Sequence, residues 1–312
     1  MKTNRAMVLL LVLAVFYPVC LWGDEKRVPD ENSLVGAAQP DVAKGEDVAK
    51  AETAAKREVV YPAKTKDSYK VDPKWKLIWS DEFEGDELNL KNWTRQVLPK
   101  PYNEEWQQYF DREENSFVKD GYLVIKAIHT SDVHADKQYT SGRLHTGGKH
   151  SWKYGKIAAR IQLPHGRGIW PAFWMLGDDV TEIGGKTPWP KCGEIDILEL
   201  YGTKDDAVVE ANLHYDDNGH EHVGAASFKL KQGIFADNFH VFEIEWTKEK
   251  MTWLVDGHAY HSVDITAEVM SEFHANQYIL LNIAVGGTHA GRPDQTTPFP
   301  AQMYVDWVRV YQ

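Results

Sequence analysis

Short runs of β-branched and aromatic residues, separated by glycine, proline, asparagine and aspartate, dominate the chain after about residue 75. Such runs are typical of β-strands joined by tight turns. The clearest runs cover residues 122–128, 156–163, 239–246, 251–255, 278–285 and 303–311. Asp256-Gly257, between two of them, is a strong hairpin signal. With only a helical turn expected near residues 267–273, we predict an all-β fold, a two-sheet antiparallel β-sandwich of jelly-roll type in one domain.

The net charge of the chain belongs to its C-terminal three quarters. Residues 1–72 contain 11 basic and 11 acidic side chains, so the whole charge of −11 lies in residues 73–312. An acidic domain lacks the field that attracts a polyanion, so we expect no nucleic-acid partner, and a neutral polymer is favoured over a sulfated or uronic one. Eleven of the twelve tryptophans also lie in residues 73–312, enough for both core packing and sugar-stacking platforms.

The N-terminus has the pattern of an export signal. A basic stretch, Met1 to Arg5, precedes an apolar run that ends at Trp22. We therefore expect a signal peptide over residues 1–23 and a protein that is secreted, cell-surface or periplasmic. We also expect the protein to be a monomer. Lipidation of Cys20 and an uncleaved anchor remain open as links to a membrane. Residues 24–72 have few large apolar side chains and are predicted to be a low-complexity charged linker, followed by the folded domain at 73–312.

Three acidic residues, Glu194, Asp196 and Glu199, lie within six positions of one apolar segment. On a regular strand Glu194 and Asp196 share a face and Glu199 points away. One extra residue, a β-bulge, brings Glu199 onto the same face, whereas a helix would scatter the three. Acids on one face share their charge, which splits their pKa values. Cleavage of a glycosidic bond with retention needs such a set, with a carboxylate nucleophile and a protonated acid about 5–5.5 Å apart.

Further motifs accompany the acidic segment throughout the predicted domain. They are Trp79–Phe83 with Asn92-Trp93, Asn103–Tyr109, Ser141–Leu144, Gly168–Leu176, Trp189-Pro190, Asn282–Gly287 and Val305–Tyr311. Together these residues resemble glycoside hydrolase family 16, in particular its laminarinase-like members. Trp106 stands where the family has leucine. The E-x-D-x-x-E spacing is the bulged form typical of laminarinases, whereas lichenases of the Bacillus type use E-x-D-x-E.

The resemblance implies a concanavalin A-like sandwich with a concave substrate cleft, and catalysis without a cofactor. It makes Glu194 the nucleophile and Glu199 the acid and base, while Asp196 shares a proton with Glu194. His214 is expected beside Glu199 on the adjacent strand, with a hydrogen-bonded packing histidine as the alternative. The side chains expected to bind substrate are Asn103, Trp106, Arg143, Trp170, Trp174, Trp189, His214 and Asn282.

The tryptophans divide into two groups by their surroundings in the sequence. Those in alternating strand patterns are expected in the core, namely Trp79, Trp246 and Trp307. Those that flank polar or glycine- and proline-rich elements are expected to stack on sugar rings, namely Trp106, Trp170, Trp174 and Trp189.

A structural calcium ion is a further implication of the resemblance. Relatives often hold one on the convex face through backbone oxygens and one aspartate. Asp306 matches that aspartate, with Glu82 and Gly121 as candidate carbonyl donors. The sequence shows no dense loop of oxygen ligands, so the residues alone do not indicate the ion.

The expected function is that of a secreted endo-acting β-1,3-glucanase, a laminarinase. Alternatives within the same chemistry are a mixed-linkage β-1,3-1,4-glucanase, an agarase, or a transglycosylase whose glycosyl-enzyme is intercepted by a sugar. The alternative from another class is a non-catalytic β-glucan-binding protein. Such binding relatives have lost one or both catalytic glutamates, and because all three acids are present here, binding alone is disfavoured.

Overall fold

The computed structural model describes residues 61–62, 64–65, 67–130 and 138–312. In this part of the chain, helix is limited to two 3-10 segments, Thr181–Ile183 and Glu268–His274, and one α-helical turn, Gly287–Ala290. None of these described helices is long and apolar enough to cross a membrane. The predicted signal peptide at 1–23 and residues 24–60 of the predicted linker lie outside the described residues.

Strands make up most of the regular structure. In chain order they are β1 (Leu77–Asp81), β2 (Thr94–Arg95), β3 (Gln107–Tyr109), β4 (Ser116–Lys119), β5 (Tyr122–His129), β6 (Tyr139–Ser141), β7 (Arg143–His145), β8 (Gly155–Gln162), β9 (Ile169–Gly177), β10 (Glu194–Glu199), β11 (Val208–Asp216), β12 (His220–Lys229), β13 (His240–Trp246), β14 (Lys250–Val255), β15 (His258–Asp264), β16 (Gln277–Val285) and β17 (Ala301–Tyr311). All six runs predicted from the sequence are confirmed as strands, with bounds that differ by one or two residues.

The strands form two sheets. The larger has the order β15-β14-β13-β8-β17-β5-β6-β3, with β1 paired to β17 and β4 paired to β5. The smaller has the order β12-β11-β10-β9-β16-β7-β2. Pairing is antiparallel except between β3 and β6. Strands far apart in the sequence, such as β8 and β17, lie side by side, as jelly-roll connections require. The predicted antiparallel two-sheet sandwich is confirmed.

The core lies between the two sheets, where each strand contributes every second side chain. Strand β16 shows the alternation clearly, since Ile279, Leu281 and Ile283 belong to the core. Leu280 belongs to a separate small cluster on the other face, and Asn282 shares that face by strand parity. The smaller sheet therefore has an outer face on which polar side chains can be placed next to apolar ones.

Asp256 and Gly257 connect β14 to β15. Their φ angles are 50° and 76°, and a type I′ hairpin turn requires positive φ at both central residues. The predicted hairpin is confirmed, and so is the short helical turn expected near residues 267–273.

The three tryptophans predicted for the core are buried to different degrees. Trp246 is fully buried, Trp307 is 1% exposed, and Trp79 is half-buried against the core. Trp307 lies apart from the inter-sheet core, in a small apolar cluster on the outer face of the larger sheet. Tyr69 covers it there, with the two ring centroids 5.2 Å apart.

The described residues between 61 and 72 contact the larger sheet, although the sequence assigned them to the linker. The ring of Tyr61 lies 6.3 Å from that of Phe117 and 6.4 Å from that of Tyr304. The predicted boundary at residue 73 stays a prediction, and the described residues just before it pack on the larger sheet. Isolated tyrosines among polar residues give no strand signal, so the sequence pattern did not show this contact.

Candidate active site

Strand β10 carries the three acidic residues and contains a β-bulge. Against β11, Asp196 pairs with Asn212 and Glu199 pairs with Glu210, so three steps on β10 match two steps on its neighbour. The same irregularity occurs against β9, directly after Asp196. The predicted extra residue is confirmed, and it turns Glu199 to the face occupied by Glu194 and Asp196.

The shared face points away from the core. Ile195 and the two consecutive residues Ile197 and Leu198 all belong to the core between the sheets. The acids therefore lie on the outer face of the smaller sheet, yet Asp196 is only 2% exposed and Glu199 only 7%. Carboxylates removed from water to this extent need hydrogen-bond donors or shared protons.

Glu194 is held from two sides. Its Oε2 accepts a hydrogen bond from Nε1 of Trp189 at 2.8 Å, and its Oε1 lies 3.8 Å from Nε2 of His214. Burial, followed by the charge of Asp196, raises the pKa of Glu194 well above its ordinary value. His214 and the Trp189 donor act in the opposite direction, because both stabilise the ionised form.

Asp196 shares this environment. Burial, followed by the charge of Glu199, raises the pKa of Asp196 well above its ordinary value, and a hydrogen bond links Asp196 to Glu194. Its Oδ2 is buried, accepts no hydrogen bond from any described residue, and lies 3.3 Å from Nε2 of His214. Both acids therefore resist ionisation, and the hydrogen bond between them allows the pair to share a proton. The Trp189 donor favours placing the remaining negative charge on Glu194.

Glu199 is held by a different set of donors. Oε1 accepts a hydrogen bond from Nε1 of Trp170 at 2.9 Å, and Oε2 accepts one from Nδ2 of Asn212 at 2.7 Å. The side chain of Tyr201 is also hydrogen-bonded to Glu199. Burial, followed by the charge of Glu199, raises the pKa of Tyr201, so its hydroxyl remains a donor. Glu194 and Glu199 thus share a face but differ in surroundings, which suits two acids with different roles.

The predicted position of His214 beside Glu199 is wrong. In the strand register His214 lies opposite Glu194, and Asn212 lies opposite Asp196 and bonds to Glu199. Asn212 and His214 are two positions apart, which corresponds to about 7 Å along the strand. Asn212 therefore reaches Glu199, and His214 does not. Its Nε2 faces Glu194 and Asp196, and its Nδ1 lies 2.8 Å from Nε2 of His220.

Arg143 is buried, with 6% of its surface exposed. Its Nε donates to Oε1 of Gln96 at 2.6 Å, and a terminal nitrogen donates to Oε1 of Glu182 at 2.5 Å. Although burial of Glu182 acts to raise its pKa, the charge of Arg143 and the hydrogen bonds around it leave that pKa lowered. The guanidinium lies 4.7 Å from the ring centre of Trp174. These contacts let Arg143 position Trp174, and the predicted binding of substrate by Arg143 stays a prediction.

Asn282 also orients Trp174. The indole Nε1 donates to Oδ1 of Asn282 at 2.8 Å, and Nδ2 of Asn282 donates to the Tyr109 hydroxyl at 3.2 Å. Asn282 is 5% exposed, whereas Trp174 is only half-buried. The ring of Trp174 is thus fixed in one orientation with part of its surface open.

The other predicted platforms differ in accessibility. Trp189 is 45% exposed and offers a ring face beside the carboxylates. Trp170 is 7% exposed, and its indole N–H donates a hydrogen bond to Glu199. It therefore positions this acid and presents little surface for stacking. Trp106 is half-buried, and the guanidinium of Arg292 lies 5.2 Å from its ring centre.

Asn103 is exposed and has a left-handed φ of 56°, a conformation that asparagine tolerates better than most residues. Its carbonyl accepts the backbone N–H of Thr288 at 2.9 Å. The loop of Asn103 is thereby joined to the helical turn at 287–290, and its amide side chain remains at the surface.

Sequence reasoning missed several neighbours of the acids. Asn212 lies within the segment that was noted for His214, and its even spacing from His214 places both on one strand face. Tyr201 follows Glu199 by two positions, so the same parity rule could have found it. Glu182 lies in a short 3-10 segment, and nothing in its sequence surroundings indicates its pairing with Arg143.

The residues predicted to hold calcium lie close to positive side chains. The carboxylate of Glu82 accepts two hydrogen bonds from Arg309, and Oδ2 of Asp306 accepts one from Arg160 at 2.6 Å. The carbonyl oxygen of Gly121 accepts a hydrogen bond from a lysine ammonium at 3.2 Å. The positive groups contact the Gly121 carbonyl and the Asp306 carboxylate, two of the oxygens that were expected to bind the ion. For Glu82 the expected ligand is its carbonyl oxygen, which is distinct from the carboxylate that Arg309 binds. Calcium needs six to eight oxygen ligands, and a calcium site here stays a prediction.

Among the residues that the structure describes, one other group of side chains has the composition of a metal site. Glu194, Asp196 and His214 each place one ligand atom within 4.8 Å of the others. The same atoms make the contacts that tune the two acids, so their arrangement is accounted for by acid chemistry.

This geometry lies within a region that matches a known family. The profile of the glycosyl hydrolases family 16 matches residues 104–309. The β-glucanase of Rhodothermus marinus is 38% identical over 251 residues, which cover 77% of this chain and 86% of that protein. The X-ray structure of the endo-β-1,3-glucanase from Pyrococcus furiosus is 40% identical with a TM-score of 0.67, covering 76% of this chain and 94% of that one. The laminarinase catalytic domain from Thermotoga petrophila is 39% identical, also with a TM-score of 0.67, covering 76% and 98%. The chain therefore belongs to glycosyl hydrolase family 16 and is a glycoside hydrolase.

Proposed function

We propose that this glycoside hydrolase is a secreted, endo-acting β-1,3-glucanase with a two-step retaining mechanism. The observation that carries the proposal is the pair Glu194 and Glu199, which share one outer sheet face but are held by separate donors. Two carboxyl groups in different surroundings suit a nucleophile and an acid. The names of the similar proteins support a β-glucan substrate and internal cleavage at β-1,3 linkages.

In the first step, Glu194 attacks the anomeric carbon and Glu199 gives its proton to the departing glycosidic oxygen. The bond from the anomeric carbon to that oxygen breaks as the bond to Glu194 forms. Trp189 and His214 stabilise the ionised form of Glu194 before the attack. Asp196 retains the proton that the pair shares and so leaves the charge on the attacking group.

In the second step, Glu199 has lost its proton and acts as a base. It takes a proton from water, whose oxygen attacks the anomeric carbon and releases Glu194. Trp170, Asn212 and Tyr201 surround Glu199 with donors that stabilise its charged form between the steps. A sugar hydroxyl in place of water would give transglycosylation through the same residues.

The test is a product analysis of the full-length protein with laminarin, mixed-linkage β-glucan and agarose in separate reactions. Rapid release of an oligosaccharide ladder from laminarin supports the proposal, and Glu194→Gln serves as the inactive control. Activity confined to mixed-linkage glucan or agarose contradicts the proposed substrate. Proton NMR of the first product formed tests retention, since a retaining enzyme yields the β-anomer and an inverting enzyme yields the α-anomer.

Secretion and the monomeric state are part of the same proposal. Secretion is supported by the basic and apolar pattern of residues 1–23. N-terminal sequencing of protein recovered outside the cytoplasm should begin after the apolar run. Recovery of the protein only from the cytoplasm, with the apolar run intact, would contradict secretion. Light scattering should give a mass near that of one chain.

A further inference from the structure

The described residues between 61 and 72, here called the N-terminal segment, contact the outer face of the larger sheet. They are remote in sequence from the acidic strand. Aromatic contacts anchor the segment at two points. Tyr61 packs edge-on against Phe117 and Tyr304, and Tyr69 packs against Trp307. Because Trp307 is 1% exposed on this outer face, the segment takes part in burying it.

Polar contacts fix the same segment between its aromatic anchors. Oγ1 of Thr65 accepts a hydrogen bond from Arg160 at 2.6 Å, and Oδ2 of Asp67 accepts one from Arg309 at 2.8 Å. The hydroxyl of Tyr69 donates to a buried glutamate of β13 at 2.5 Å. These contacts reach three neighbouring strands, so the segment has one defined path across the sheet.

Lys64 lies on this path, next to the residues that the family resemblance assigns to calcium. Its Nζ donates to the carbonyl oxygen of Gly121 at 3.2 Å and lies 3.5 Å from Oδ1 of Asp306. The ammonium also lies 5.8 Å from the ring centre of Tyr122. One positive charge thus contacts a backbone carbonyl, a carboxylate and an aromatic ring, all of which favour a cation.

The buried carboxylate of Asp306 requires a neighbouring cation. Its side chain is 1% exposed, and Arg160 binds only Oδ2. The other oxygen, Oδ1, is buried and accepts no hydrogen bond from the described part of the chain. A carboxylate oxygen in this position requires a positive neighbour, and the ammonium of Lys64 lies 3.5 Å from it.

We propose that the ammonium of Lys64 serves as the built-in cation of this face and takes the position where the family resemblance predicts a calcium ion. The N-terminal segment delivers the charge, and its aromatic and polar contacts hold the charge in place. Calcium binding would have to displace Lys64 from Gly121 and Asp306. The stability of the domain is therefore independent of calcium, and removing the ammonium opens a cation site on the same oxygens.

The experiment compares thermal unfolding of three full-length proteins, the wild type, Lys64→Met and Lys70→Met. Methionine keeps most of the length of lysine and removes its charge. Lys70 is an exposed lysine of the same segment, so Lys70→Met is the matched control for lost charge. Each protein is measured in three buffers, which contain EDTA, about 10 mM calcium or about 10 mM magnesium. This calcium concentration exceeds the dissociation constants of extracellular calcium-binding modules.

The wild type and Lys70→Met should each have the same unfolding midpoint in all three buffers, within about 1 °C. This margin is smaller than the shift in midpoint that the loss of one contact produces. Lys64→Met should unfold lower in EDTA by on the order of 3 °C and regain stability in calcium, because a ligand that binds only the folded state raises the midpoint. Calcium stabilisation of the wild type would overturn the proposal. So would a Lys64→Met variant whose midpoint is unchanged in EDTA or does not rise in calcium. Each readout is independent of activity, so failure here is distinguishable from failure of the proposed glucanase function.

Discussion

Replacing Asp196 by asparagine should stabilise the folded protein while slowing the reaction. Asparagine keeps the size and shape of the side chain but carries no charge. Asp196 is 2% exposed, and its Oδ2 accepts no hydrogen bond within the described structure. Burial, followed by the charge of Glu199, raises its pKa well above the ordinary value, so the folded protein disfavours the ionised form.

The sign and size of the effect follow from linkage. When folding raises the pKa of an acid, the free energy of unfolding falls as the pH increases. The fall begins at the pKa of the unfolded state and ends at the pKa of the folded state. Each pKa unit corresponds to about 1.4 kcal/mol, and a buried group without its full hydrogen bonds costs about 1–3 kcal/mol. A gain of about 2 kcal/mol on removing the charge corresponds to about 4–8 °C in Tm for a domain of this size.

Scanning calorimetry of the wild type and Asp196→Asn at about pH 8 and about pH 4 measures this gain above and near the unfolded pKa of aspartate. The variant should be more stable than the wild type at the higher pH, where unfolding of the wild type releases the proton that Asp196 holds in the folded state. The difference should shrink at the lower pH, because the unfolded aspartate then takes up a proton as well. Asp86→Asn, at an exposed aspartate, is the control and should change little. An equal or lower Tm for Asp196→Asn at the higher pH would refute the account of a buried carboxyl group whose pKa is raised by folding. Its kcat should fall, because Glu194 loses its proton-sharing partner.

Three further predictions concern the neighbours of the acids. Trp189→Phe removes a donor that stabilises ionised Glu194, so the pKa of Glu194 should rise and the acidic limb of the kcat/KM profile should move to higher pH. Arg143→Met leaves Glu182 buried without its cation, so urea unfolding should show a loss of about 3–5 kcal/mol. Glu199→Ala should lower laminarin hydrolysis by about 10²–10⁴-fold but spare the first step for aryl glycosides with a dinitrophenolate leaving group, which needs no proton.

Each of these predictions has a contrary result. An unchanged acidic limb in Trp189→Phe would show that the indole donor does not tune the nucleophile. Wild-type stability of Arg143→Met would show that the ion pair contributes nothing net. Equal losses on laminarin and on the activated substrate in Glu199→Ala would remove that residue as the general acid.

The sequence predicted the fold and the acidic face because both depend on local periodicity. Strand runs and the Asp256-Gly257 turn can be identified from neighbouring residues alone. The bulge followed from one requirement, that Glu194, Asp196 and Glu199 converge, and the register between β10 and its neighbours contains it.

Contacts between distant parts of the chain could not be predicted in the same way. The position of His214 depends on the register between two strands, and a bulge changes that register without altering the periodicity. The pairing of Arg143 with Glu182 joins a strand to a loop 39 residues away. The N-terminal segment lies on the larger sheet through tyrosines and polar side chains, which have no repeating pattern.

The most direct test of the central claim is to trap the glycosyl-enzyme and locate it by mass spectrometry. A 2-deoxy-2-fluoro laminaribiosyl fluoride carries a good leaving group, and its fluorine slows the second step, so the covalent adduct accumulates. The account predicts one added disaccharide, and peptide fragmentation should place it on Glu194. A label on Glu199 or Asp196, or no covalent adduct from a protein that hydrolyses laminarin, would contradict the assignment of Glu194 as the nucleophile on the bulged strand.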